Sequence, residues 1–139
     1  TTTMRTINNI FVHCTATQPS ATIEALRNGF RARGWHAPGY HYVIEADGTL
    51  RRLWAEEDVA NGVQGYNQHA IHVAYIGGID PEGRPKDTRT CAQRTTLEAL
   101  LRLLHWHYPT ARIRGHREVN PNKACPSYDV QSEIKNWEE

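Results

Sequence analysis

Ile10-Phe11-Val12 is a short apolar run closed by His13, and it predicts a buried strand with a polar residue at its exit. Polar Thr15 to Ser20 follow as a loop. Ala21 to Arg33 carries Ile23, Leu26 and Phe30 at helical spacing, which predicts a helix with Ser20 as N-cap and Gly34 as its stop. Tyr40 to Ile44 and Thr49 to Leu53 are rich in strand formers. Asp47-Gly48 lies between them, a strong hairpin signal. Asn61 to Gln68 is a polar loop, and Ala70 to Ile76 is a further strand ending at Gly77-Gly78. After a turn-rich stretch, Asp80 to Arg89, Thr90 and Gln93 have the spacing of a capping box. The helix they open runs to about His107, with Leu97, Leu100, Leu101 and Leu104 on one stripe, and Tyr108-Pro109 ends it. Ala111 to Arg114 reads as a short strand, Gly115 to Ser127 as irregular, and Asp129 to Trp137 as a last helix.

Strands alternating with helices, with one hairpin among them, give an α/β fold: a central mixed β-sheet flanked by helices. No repeat, low-complexity stretch or interdomain linker interrupts it, and 139 residues suit one domain, 1–139 with a core of about 8–137. Formal net charge is +1, so a broad electrostatic grip on nucleic acid is not expected. No apolar run reaches the length of a membrane span. Thr1 to Asn9 is polar and Ile10 to Val12 too short for a leader's apolar segment, so no signal peptide is expected in this chain. A monomer is expected, since no association surface stands out.

Three cysteines, Cys14, Cys91 and Cys125, make a poor disulfide framework. Eight histidines direct attention to metal chemistry. His13 ends the first strand, His116 follows the last one, and Cys125 lies nine residues further on in a loop. Two imidazoles and a thiolate suit tetrahedral zinc and leave one position for water. The spacing is not that of a zinc finger, however, and on chemistry alone the competing reading stands: unrelated residues, with Cys125 a small buried hydrophobe. Cys14 is expected in the core, on the face opposite His13. Cys91 is read as structural, His105 and His107 as surface residues. His69 and His72 flank a strand and receive no role. Trp35, Trp54 and Trp106 are read as packing residues.

Phe11-Val12-His13-Cys14-Thr15-Ala16-Thr17 resembles the opening motif of the zinc-dependent N-acetylmuramoyl-L-alanine amidases, a family related to peptidoglycan recognition proteins. Further segments resemble that family in order: Gly34-Trp35, Gly39-Tyr40-His41-Tyr42, Asp47-Gly48-Thr49, Gly65-Tyr66-Asn67, Ile76-Gly77-Gly78-Ile79-Asp80, Gly115-His116-Arg117-Glu118-Val119 and Lys123-Ala124-Cys125-Pro126-Ser127. The resemblance spans about residues 10–130. It implies the amidase fold and Zn²⁺ held by His13, His116 and Cys125. It also implies catalytic roles for Tyr40 and Lys123, and hydrolysis of the amide between the lactyl group of N-acetylmuramic acid and L-alanine. Peptidoglycan or muropeptides are the implied partners, and His36 and Arg117 are taken as candidate substrate contacts. Such an enzyme acts on the cell wall, in the periplasm or outside, and a phage lysin waits in the cytoplasm until released. The alternative is a non-catalytic peptidoglycan-binding module of the same fold; recognition-only relatives commonly lack the ligand cysteine, which is present here. One departure stands out. Relatives commonly carry a histidine in the loop before Gly65-Tyr66-Asn67, and Gly62 occupies the matching position.

Overall fold

In a computed structural model, which describes residues 5–137, the elements follow the order read from the chain. They are β1 (Asn9–Cys14), α1 (Ile23–Ala32), β2 (Tyr42–Ile44), β3 (Leu50–Arg52), β4 (Ala70–Tyr75), α2 (Cys91–His107), β5 (Arg112–Gly115) and α3 (Val130–Trp137). Short 3₁₀ turns at Asn67–His69 and His116–Glu118 adjoin β4 and β5. The five strands form one mixed sheet in the order β3-β2-β4-β1-β5. β1 lies parallel to β4 and β5, β2 parallel to β4, and only β3 runs antiparallel.

Alternation along the strands sorts the core. Ile10, Val12 and Cys14 of β1 join Ile71, Val73 and Tyr75 of β4 on one face. Leu97, Leu100, Leu101 and Leu104 of α2 cover them, together with Val130 and Ile134 of α3. The expectation for Cys14 is met: it is buried in this core. The opposite face carries Phe11, His13, His72 and Ala74, flanked by Val43. Ile23, Leu26 and Phe30 of α1 pack there, and Val63 closes the rest.

The capping box at the start of α2 is present: Thr90 Oγ1 accepts from Gln93 N, and Gln93 Oε1 accepts from Thr90 N. The amide of Gln93 also donates to Ile44 O and Ile76 O, tying the helix start to β2 and the end of β4. The Asp47-Gly48 hairpin forms; Gly48 sits at φ +90, where side chains are disfavoured, and a Cβ there would meet Ala92 at 3.0 Å. Helix α1 begins later than the sequence reading placed it. Thr22 is the N-cap, its side chain accepting from Ala25 N, and Ser20 lies outside the helix. Both residues are good caps by type, and seating Ile23, Leu26 and Phe30 against the sheet selects Thr22.

Candidate metal centre

Parallel α/β sheets leave crevices at the carboxyl ends of their strands. β1 and β5 are adjacent, and each brings one imidazole to that end: His13 on β1, and His116 directly after Gly115. Glu118 accepts from Gly115 N at 2.6 Å, closing the turn that starts at His116. The loop beyond delivers Cys125. Its carbonyl accepts from Arg117 N at 2.8 Å, and its sulfur accepts from Cys14 N at 3.2 Å. One ligand atom each from His13, His116 and Cys125 lie within 4.8 Å of one another. Cys125 Sγ is 3.7 Å from His13 Nδ1, and the two imidazole centroids are 4.9 Å apart. Among the described residues this is the cluster able to hold a metal ion. Two imidazoles and a sulfur fit zinc, and three protein ligands leave a coordination position open.

The trio lines a cleft of about 580 Å³. Tyr40 and Lys123 line it too, with Arg33, Trp35, Asn61 and Gln64 on its walls. The Tyr40 ring lies 5.2 Å from His13, and its hydroxyl donates to Cys14 O at 3.4 Å. Desolvation, reinforced by Cys125 and Cys14, pushes the phenol above its ordinary pKa, so it stays a donor at neutral pH. Burial lowers the pKa of His13 and His72 well below that of a free imidazole. Burial, then the nearby charge of Lys123, lowers His116 as well. His13 and His116 therefore each keep a lone pair available for a cation. The Cys125 thiol is pushed up, first by its hydrogen bond with Cys14 and then by burial, so a metal entering here displaces a proton.

His13, His116, Cys125, Tyr40 and Lys123 are brought together. His36 and Arg117 are not among the residues lining the cleft. The His36 ring packs edge-on to Trp54, centroids 6.1 Å apart, and Arg117 contributes its backbone N–H to Cys125. Sequence reasoning missed His72 and Asn67. His72 lies inside β4, not beside it, and is fully buried. Its Nδ1 is 2.9 Å from His13 Nε2, and its Nε2 is 2.9 Å from Asn67 Oδ1. The signal available was the alternation along β4, which puts His72 on the same face as Phe11 and His13. The departure at Gly62 has its physical reason here. A Cβ at position 62 would fall 2.2 Å from His72 Nδ1, so the loop can pass this ring only as glycine.

A second hollow of about 660 Å³ lies elsewhere, lined by residues including Arg102, Trp106, Arg112 and Trp137; it holds none of the trio.

Fold and site together define a peptidoglycan-amidase type of α/β domain. Residues 3–128 match the N-acetylmuramoyl-L-alanine amidase family, Amidase_2, and the chain belongs to that family. It is 41% identical over 130 residues to the endolysin of Escherichia phage T7, covering 92% of this chain and 83% of the relative. The endolysin of Enterobacteria phage K11 is 37% identical over 133 residues, covering 94% and 87%. Among solved structures, the N-acetylmuramoyl-L-alanine amidase LysC from Clostridium intestinale superimposes with a TM-score of 0.81 at 29% identity, covering 95% of this chain and 85% of that one.

Proposed function

We propose that this chain is a zinc-dependent hydrolase of the amide joining the lactyl group of N-acetylmuramic acid to L-alanine of the stem peptide. The observation that carries the reading is the trio of His13, His116 and Cys125 at the wall of an open cleft that also holds Tyr40 and Lys123. Hydrolysis breaks the C–N bond and leaves a lactyl carboxylate and a free L-alanine amine. Zinc bound by the trio supplies Lewis acidity and activates water at neutral pH. The ammonium of Lys123 offsets negative charge developing on the carbonyl oxygen. The Tyr40 hydroxyl, held protonated, donates a hydrogen bond there or to the attacking water. Arg33, Asn61 and Gln64 give the cleft wall donors for the carboxylates and amides of a stem peptide. The relatives named endolysins support a role in cell-wall lysis, with peptidoglycan or muropeptides as substrate.

Mass spectrometry of purified peptidoglycan digested by the protein tests this. The expected products are stem peptides with a new L-alanine amino terminus, abolished by a zinc chelator and restored by added zinc. A protein that binds the polymer and zinc yet releases nothing from sacculi or soluble muropeptides would overturn the reading in favour of a binding module.

A further inference from the structure

His72 stands on the far side of His13 from the cleft, and its hydrogen bonds run in one direction. Asn67 Oδ1 accepts from the backbone N–H of Val63 at 2.8 Å. A backbone N–H can only donate, so the atom facing it is the amide oxygen, and the Asn67 side chain has one orientation. The same oxygen lies 2.9 Å from His72 Nε2, which must therefore carry the proton. A neutral imidazole has one N–H and one lone pair, so His72 Nδ1 is an acceptor. His13 Nε2, 2.9 Å away, then donates to it, and the lone pair of His13 is left on Nδ1. That is the nitrogen 3.7 Å from Cys125 Sγ, inside the ligand trio.

The ring of His72 is held against rotation as well. It stacks between Phe11, at 5.7 Å and 11°, and His41, at 5.8 Å and 6°. Its backbone N–H donates to His41 Nδ1 at 3.0 Å. Gly62 provides the space it occupies. The turn carrying Asn67 is fixed in its turn by Arg5, whose guanidinium donates to Asn67 O, Gln68 O and Ala70 O.

We infer that His72, oriented by Asn67 and accommodated by Gly62, is a positioning residue for the metal centre: it fixes His13 in the tautomer that presents Nδ1 to the ion. Metal-bound histidines depend in this way on a partner for the second ring nitrogen, and loss of that partner weakens metal binding by about 10–100-fold. Here the partner is another imidazole, one strand away on the sheet floor. The inference rests on the proposed function only for the identity of the ion.

The test has two arms. Nitrogen-15 NMR of the metal-free protein reads the tautomer directly; the expected pattern is Nε2–H with unprotonated Nδ1 on His13, and Nε2–H on His72. Zinc affinity is then measured by competition with a chromophoric chelator. His72→Leu is expected to bind zinc about 10–100-fold more weakly than wild type. His72→Gln retains an acceptor for His13 and a donor for Asn67, and is expected within a few-fold of wild type. A proton on Nδ1 of His13 in the wild type overturns the inference. So does a folded His72→Leu that binds zinc as tightly as wild type, or a His72→Gln no better than His72→Leu. Should His72→Leu fail to fold, the wild-type tautomer still decides. Absence of amide cleavage with the tautomer intact would count against the functional reading alone.

Discussion

Along β1, Ile10, Val12 and Cys14 enter the side of the sheet under α2, while Phe11 and His13 enter the side facing α1. Under α2 the contacts are leucine, isoleucine, valine and tyrosine, and the stabilisation scales mainly with the apolar area buried. On the other side three fully buried histidines, His13, His41 and His72, each need a named partner. A buried polar group costs little when paired and much when orphaned, so this side has no tolerance for approximate fit. One strand thus carries a forgiving face that holds the domain together and an exacting face that holds the chemistry.

Removing a ligand should separate the two faces most sharply. Cys125→Ser is expected to lower amide cleavage by more than about a thousandfold, the scale of losing metal activation of water. Denaturation of the metal-free form, followed by circular dichroism, should move little. Leu101→Ala is the opposite experiment. It should cost about 2–5 kcal/mol in urea unfolding, with turnover per folded molecule unchanged. A drop in turnover would show that the faces are coupled.

Acid should find the exacting face first. Burial holds His41 down to about 4, against 6.5 for a free imidazole. Its Nε2 lies 2.8 Å from Asp58 O and its Nδ1 accepts from His72 N, so a second proton has no acceptor. Between pH 6.5 and 4 the unfolded chain binds the proton that the folded chain refuses. Stability is complete above about pH 6.5 and falls by roughly 1.4 kcal/mol per unit below it, about 3 kcal/mol in all from this residue. Urea titrations of the chelator-treated protein at pH 7, 6, 5 and 4 check the slope, and His41→Gln should flatten it.

Much of the apolar face was legible in the sequence because its signals are local. Leu97, Leu100, Leu101 and Leu104 announce their helix by spacing alone, and Thr90 with Gln93 announces its start. The trio able to hold a metal was legible as three residues at strand exits and in the closing loop, but ambiguous without the ordered family motifs. His72 was not legible. It pairs with a residue 59 positions earlier, and nothing near it in sequence distinguishes a positioning imidazole from a packed one. Gly62 was visible as a departure, yet its reason is a close approach between segments that only the fold creates. Ser20 and Thr22 were equivalent as caps until α1 met the sheet.

The sheet's two outer strands, β3 and β5, have a consequence for how these molecules meet one another. An open strand edge invites a second chain to add to it, and proteins discourage this with charge or cover. β3 is three residues long, all three are exposed, and two of them are Arg51 and Arg52. β5 carries Arg112 and Arg114, and Gln131 of α3 donates to Ile113 O, occupying one of the carbonyls an incoming strand would need. Two copies brought edge to edge would therefore set arginine against arginine. Both edges are thereby poor templates for a further strand, and neither arrangement uses a residue of the cleft.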